Sequence, residues 1–426
     1  MRRLFLGTMC VLALLTKTDP QSAHEYSRLG TVESLVTRGT YQLDDSTFVT
    51  TRDKIYRGGH FYSHQPPLLS TMEAPVYWVL SLPGTHFNNR GRFIMTYAFS
   101  LLTNGIALAL TVVVFAQILA LAGVPPPWRN WLAVLLPCGT WLLPYALVTN
   151  NHGISGLLVA VLAYLLLLLE WNAVSHVRVL AIGLVLGLLV AIEMLPLVSF
   201  VPLTLIYLAA RRDLDARAWL YAAAGLMAPL LVHAAINIPL TGDVIPAGFH
   251  TELFDYPGSV FTGSSLSGGI KYDAIGEFSL YAWRSLIVDK GFLTFAPLCL
   301  LGAAAGVASW GWWRRARGPQ LVLLGGAILS LTAALLTTNN YGGEAVGFRH
   351  ATYLSPALVI LLLPWVIETR MRATVIAVAA ISCMLMLVFA ARNPWKVLVW
   401  SDAPIGTWDE YVPIANKIVH RTLFHP

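Results

Sequence analysis

The chain has 426 residues, of which 56% are hydrophobic and only 12% charged, with a net charge of +6 and a mean hydropathy of +0.64. Soluble domains carry about twice that charged fraction. Apolar runs recur to the end of the chain, which excludes a soluble domain with one anchor and gives an all-α polytopic membrane protein. The basic residues cluster between apolar runs, so the positive balance is a topological signal and not a nucleic-acid footprint. Cys10, Cys138, Cys299 and Cys383 all lie inside apolar runs, which argues against a disulfide framework or a thiolate metal site.

The N-terminus, MRRLFLGTMCVLALLTKTDPQSA, has the basic start and short apolar core of a signal peptide. It lacks a convincing small-x-small cleavage site, and we expect a retained first helix. Residues 17–92 then form a long first extracytoplasmic loop. Leu29, Val32, Leu35 and Val36 make one apolar helical face, with Gly39 as C-cap, so an amphipathic helix lying in the membrane interface is expected here, with Glu25 near its start. Gly58-Gly59 reads as a turn, and Pro66-Pro67 as a fixed extended approach to a helix.

About eleven spans follow from the apolar runs, near residues 3–16, 93–121, 131–148, 154–171, 178–192, 196–210, 218–238, 291–310, 319–337, 350–367 and 373–391. One set of loops holds Arg2-Arg3, Arg129, His176 and Arg178, RRDLDAR from Arg211, RRAR from Arg314 and ETRMR from Glu368; the positive-inside rule makes these cytoplasmic. Parity turns on Val177–Ala210. As a single helix it would be about 50 Å long, too much for a ~30 Å core. Pro196 breaks it, and two short helices meeting near Glu193 keep every Arg cluster inside. The other loops are then extracytoplasmic: 17–92, TNNHG from Thr149, the Glu193 apex, a second large loop at 239–290, NNYGGEAVGFRH from Asn339, and the tail 392–426. Polar groups thus converge on the outer ends of several helices, as a single outward-facing active site requires.

Four stretches carry a family resemblance. A carboxylate after the first span is followed by an amphipathic helix ending in Gly and then by GHFYSHQPPL, residues 59–68. TNNHG opens the fourth span, and KGFLTFAPLCLLG from Lys290 and YGGEAVGFRHATYLSPAL from Tyr341 follow in order. Together these resemble the GT-C superfamily of polytopic membrane glycosyltransferases, in the branch with protein mannosyltransferases and lipid A aminoarabinose transferases. The chain departs from that pattern twice: His24-Glu25 stands where the branch has Asp-Glu, and Gln65 where it has Lys. The resemblance implies one GT-C-like transmembrane domain over 1–426. It implies a sugar donor on a polyprenyl phosphate, a lipid, glycan or protein acceptor, and a bacterial-type inner membrane with the active site facing outward.

Such a transfer needs a base for the acceptor hydroxyl and cations for the departing phosphate. Glu25 is the first candidate base and Asp53 the second, with Asp44 and Asp45 as rivals. Arg28, Lys54 and Arg349 are candidate phosphate contacts. Tyr62, Gln65, Asn151, His152, Glu193, Tyr341, Glu344 and His350 are expected to line the substrate site. His60 and His64 have a zinc-like spacing without a further ligand placed by sequence, so no metal and no cofactor are expected. Two other readings compete: a lipid-linked glycan transporter, which would need polar groups through the membrane depth, and a non-catalytic GT-C-like scaffold.

Overall fold

The computed structural model describes residues 1–261, 269–341, 343, 345–391 and 394–395. The chain is almost wholly helical: α1 (Arg2–Leu15), α2 (Ala23–Arg38), the hairpin β1 (Lys54–Arg57) and β2 (His60–Ser63), then α3 (Pro67–Ser81), α4 (Arg92–Ser100), α5 (Ile106–Leu121), α6 (Pro126–Cys138), α7 (Leu142–Tyr145), α8 (His152–Trp171), α9 (His176–Glu193), α10 (Phe200–Ala210), α11 (Ala216–Thr241), α12 (Ile275–Leu286), α13 (Pro297–Ala308), α14 (Arg317–Thr337), α15 (Ser355–Ile360), α16 (Leu363–Ile367) and α17 (Thr369–Ala391). Helices α4 and α5 join through a π-helical turn, Leu101–Gly105, into one 30-residue rod.

Among the described residues six helical segments are long and apolar enough to cross a membrane: Arg92–Leu121, α8, α9, α11, α14 and Arg370–Ala390. Each of the other expected spans has helix in it, but in short or broken form. α13 has 12 residues, about 18 Å of rise. The expected span 350–367 is a 3-10 turn, Arg349–Leu354, followed by α15 and α16. Pro137, Pro356 and Pro364 stand in or at the start of these interrupted pieces, where the missing N–H and the ring prevent a continuous helix. Six long apolar helices with shorter ones packed among them are thus present, and the expected count of about eleven spans is not confirmed.

The break in Val177–Ala210 is present. α9 ends at Glu193, Met194 has φ 57°, and the 3-10 turn Leu195–Val198 leads into α10. Side-chain contacts give the direction of each leg. At one end of the bundle Arg211, just past α10, pairs with Glu170 near the end of α8 at 3.0 Å, and His176 at the start of α9 meets Asp215 at 3.0 Å. At the other end Glu193 meets the start of α8 through Asn151 at 2.7 Å. Thus α9 runs away from the arginine end and α10 returns to it. Ser199 bonds Ser330 on α14 at 2.6 Å, so α14 again runs to the Glu193 end. The arginine clusters at 211 and 314 share one face, as the alternation of loops requires.

α9 and α11 lie parallel and close. A Cβ on Gly183 would sit 2.3 Å from the Ala222 carbonyl oxygen, and one on Gly187 2.3 Å from that of Leu226. Small residues four apart allow this backbone approach, where dispersion and not hydrophobicity holds helices together in lipid. Much of the opposite face of α11, with Leu220, Leu231 and Val232 exposed, is left for lipid.

The first loop folds as a cap over the Glu193 end. α2 starts with a Ser22 side chain accepting the Glu25 N–H and stops at Gly39, φ 68°, both in accord with the sequence. Its setting differs from expectation. Residues 27–34 are all buried, enclosed by α3 and by the turn around Leu43 and Ser46, which approaches within 2.9 Å of where a Gly30 Cβ would lie. α2 is a buried helix of the cap, covered by protein on the face expected to meet lipid. Gly58 and Gly59, φ 58° and 90°, make the two-residue turn between β1 and β2, a geometry open to glycine at both positions.

Gly187→Leu is expected to push α9 and α11 apart and cost about 1–3 kcal/mol or more by overpacking, seen as a lower midpoint of thermal unfolding in detergent. Gly7→Leu, where nothing lies within 4 Å of the added carbon, should leave the midpoint unchanged. Equal midpoints for both variants would show that the α9–α11 contact does not hold the bundle.

Candidate active site

A cavity of about 230 Å³ opens at the cap end of the bundle, between the first loop, the α8 and α9 ends, the 246–261 segment and the 337–350 segment. Seven of the sequence-predicted residues stand on its wall: Asp53, Gln65, Asn151, His152, Glu193, Arg349 and His350. They come from five separate stretches of chain, and only the fold makes them neighbours.

The α8–α9 side is built on Glu193. Its Oε1 accepts from Asn151 Nδ2 at 2.7 Å and lies 3.2 Å from His152 Nδ1. A carboxylate can only accept, so Asn151 must turn its amide nitrogen to Glu193 and its oxygen away. That oxygen, Oδ1, then accepts from His24 Nε2 at 3.2 Å. A neutral His24 protonated on Nε2 leaves Nδ1 bare, and Nδ1 stands 3.7 Å from Asp53 Oδ2.

Asp53 is held by α2 and by its own loop: the Ser27 hydroxyl donates to its carbonyl, and its N–H donates to Thr51 Oγ1. Burial alone would raise the Asp53 carboxyl; the His64 and His24 rings and the Arg349 guanidinium beside it outweigh that and hold it below the usual carboxylate range. Burial lowers His24 to about 3 against the pull of Asp53, and lowers His64 as well. At neutral pH the pair is an ionised carboxylate beside a neutral imidazole.

Arg349 faces Asp53 across the cavity and lies over the Trp395 ring at 5.9 Å, a stacking contact suited to a guanidinium. No carboxylate among the described residues lies within ion-pair distance of it. The loop before it is pinned by Lys290, whose Nζ donates to the carbonyls of Gly343 at 2.7 Å and Ala345 at 2.6 Å.

Five other predicted residues do not reach the cavity wall. Glu25 lies beneath it: its carboxylate accepts the Gln21 N–H at 2.6 Å and the Thr149 N–H at 3.1 Å, and burial pushes its pKa up to about 8 in spite of those bonds. It ties α2 to the loop before α8. Arg28 is fully buried behind Gln65, donating to Gln65 Oε1 at 3.2 Å. Lys54 turns away, with Nζ on the Val49 carbonyl at 2.6 Å and over the Phe61 ring. Tyr62 sits in the hairpin over a separate small hollow. Tyr341, φ 54°, packs on Tyr281 with ring centres 4.6 Å apart. Glu344 lies outside the described residues, as does most of the tail 392–426.

His24, His64 and Trp395 were missed as site residues. His64 was read only as half of a zinc-like spacing; among the described residues no group of three His, Cys, Asp or Glu is placed to hold a metal ion. Trp395 is buried against Tyr145 and His24, with ring centres 5.5 Å from each. A Trp in a polar tail gives no sequence signal that it will fold back over a site.

Glu25→Ala is expected to orphan the buried Thr149 N–H, at about 1–3 kcal/mol, and so to lower the thermal midpoint in detergent. A Glu25→Ala protein as stable as the parent would show that this carboxylate is not part of the framework.

No family model matches the sequence, and no curated protein matches it. Solved structures do. ArnT from Cupriavidus metallidurans in the apo state superimposes with a TM-score of 0.55 at 13% identity, over 96% of this chain and 76% of that one. The same enzyme bound to undecaprenyl phosphate gives 0.51 at 13% identity, over 98% and 79%. The Archaeoglobus fulgidus oligosaccharyltransferase in its apo form gives 0.52 at 12% identity, over 93% of this chain and 56% of that one; the chain spans little more than half the length of that protein. Both are GT-C membrane glycosyltransferases. At such identities the likeness concerns the fold, and in its fold the chain is similar to the GT-C glycosyltransferases along almost its whole length.

Proposed function

We propose that the chain is a glycosyltransferase that moves one sugar from a polyprenyl-phosphate-linked donor to an acceptor hydroxyl, acting as a single domain at the outer face of a bacterial-type inner membrane. The observation that carries this reading is the pairing, in one cavity, of an ionised carboxylate, Asp53, with a guanidinium, Arg349, that no described carboxylate neutralises. The fold adds support, since ArnT has been captured with undecaprenyl phosphate. A cavity of about 230 Å³ lies below the ~300–1,000 Å³ usual for drug-sized ligands, and suits one sugar ring better than an oligosaccharide.

The roles follow from the chemistry. The acceptor oxygen attacks the anomeric carbon, a C–O bond forms, and the bond from that carbon to the phosphate oxygen breaks with its electron pair on phosphate. The hydroxyl proton passes to the Asp53 carboxylate, beside whose Oδ2 the bare Nδ1 of His24 stands at 3.7 Å. Asp53 thus replaces Glu25 as the proposed base. Arg349 offers its planar fork to the phosphate as charge develops, and Glu193, Asn151 and His152 are the proposed acceptors and donors for sugar hydroxyls. The donor's lipid tail remains in the bilayer.

Arg349→Ala should lower turnover roughly a hundredfold or more while the protein still folds, and Arg349→Lys should recover only part, because a point charge cannot make the two-pronged contact. Asp53→Asn should lower turnover by about 10²–10⁴. Normal transfer by a folded Arg349→Ala or Asp53→Asn protein would show that the phosphate seat or the base lies elsewhere. Asp53 is ionised above its depressed pKa and His24 is neutral above about 3, so the base form is complete throughout the neutral range. The profile of kcat/KM should then show no acidic limb from this pair between about pH 5 and 8. A limb near pH 6.5 that disappears in His24→Gln would overturn the assignment.

For the orientation, a cysteine replacing exposed Asp255 should react with an impermeant thiol reagent in spheroplasts, and one replacing Arg315 should not. The reverse pattern would place the cavity on the cytoplasmic side.

A further inference from the structure

The end of the bundle away from the cavity holds a second concavity. The α13–α14 connection reads WGWWRRARG from Trp310, and it folds as a 3-10 turn, Trp312–Arg315. Three residues per turn bring Trp312 and Arg315 onto one face, while Trp313 points inward and is fully buried. Together with Arg314, Trp171 at the end of α8, and Leu121 and Ala122 at the end of α5, they line a cleft of about 610 Å³, larger than the cavity at the cap end. A second cleft of about 520 Å³ shares Trp312 as a wall and has Glu368 and Trp365 on its far side.

Orientation by the positive-inside rule requires arginines on this face. It does not require a cleft walled by two tryptophans, nor arginines without partners. Arg211 on the same face is paired with Glu170 and Asp213, and Arg317 stacks on Trp310 at 5.1 Å. Arg314 and Arg315 are exposed, and among the described residues neither has a carboxylate within ion-pair distance. Two adjacent guanidiniums are a phosphate-oxygen receptor, tryptophans favour headgroup depth, and the ends of α5 and α8 offer an apolar approach for acyl chains.

We propose that this cleft is a binding site for one anionic phospholipid of the leaflet opposite the active site, its phosphate seated on Arg314 and Arg315 and its glycerol region against Trp312 and Trp171. Basic pockets between helix ends on the cytoplasmic side are a general mode of lipid recognition. The neighbouring cleft, with Glu368 on its wall, would repel the same headgroup, so the seat is confined to one side of Trp312.

The test uses the full chain in detergent with phosphatidylglycerol or phosphatidylcholine of identical acyl chains. Phosphatidylglycerol should raise Tm by roughly 2–5 °C over phosphatidylcholine, by preferential binding to the folded state. Arg314→Gln combined with Arg315→Gln should abolish that difference, and each single change should at least halve it should the double variant not fold. Arg212→Gln, an exposed arginine on the same face, should retain it. Equal effects of the two lipids on the parent protein would overturn the proposal, as would an undiminished response in the arginine variants or an equal loss in Arg212→Gln, which marks diffuse charge. Inorganic phosphate matching the lipid's effect at equal concentration would assign the seat to a soluble anion and remove the lipid.

Discussion

The termination of α9 at Glu193 is the constraint on which the architecture rests. A continuous helix through Pro196 would reverse the side of every later segment and carry Arg211 away from Glu170. The stop places a non-glycine residue, Met194, at φ 57°, a conformation that disfavours ordinary side chains and is kept only where the surroundings over-determine it. Here the surroundings are the Asn151 and His152 contacts to Glu193 on one side and the Ser199–Ser330 bond on the other. The same stop delivers the Glu193 carboxylate to the cavity wall. Bundle geometry and site chemistry thus share one local feature.

Around that feature the cap end separates its carboxylates by environment. Glu25 is buried among backbone donors and held toward the neutral form by desolvation. Asp53 is also buried, but its neighbours are rings and a guanidinium that favour the charged form. One carboxylate stitches the cap to the bundle and the other faces the cavity. Burying an ion costs several kcal/mol unless it is compensated, so the compensation of Asp53 by groups across the cavity, and not by a salt bridge in contact, keeps its charge available. Gln65 belongs to the same economy of charge. It accepts from the buried Arg28 at 3.2 Å and presents its amide nitrogen to His64 at 2.8 Å, so an amide on the wall screens a cation behind it.

The two ends of the bundle contrast in polarity and in composition. The cap end concentrates acids, amides and imidazoles, drawn from loops and helix ends. The opposite end concentrates arginine and tryptophan, drawn from short connections. This asymmetry is what a protein needs if its chemistry belongs to one surface and its anchoring to the other, and it leaves the long helices between them free to be almost purely apolar.

Much of this was readable from one sequence. Apolar runs locate the helices because lipid admits no unsatisfied backbone, and arginine spacing orders them. Ser22 and Gly39 bound α2 by local capping, Gly58-Gly59 specifies a turn, and Pro196 breaks a helix; each is a short-range effect of one or two residues. Seven of the thirteen residues singled out for the site stand on the cavity wall, because polar residues at the same ends of apolar helices have few other places to converge. Tertiary structure alone decided the rest. Glu25 and Asp53 are 28 positions apart in one loop and look alike in sequence; which of them faces the cavity depends on how α2 is enclosed. Arg28 and Lys54 are basic residues beside a motif, yet one is buried behind Gln65 and the other lies on a carbonyl. His24 and Trp395 are far apart in the chain and meet at 5.5 Å. Local propensity and hydropathy act over a few residues or along one helix, whereas side-chain direction and desolvation are set by packing between segments hundreds of residues apart, and no single stretch of sequence contains that information.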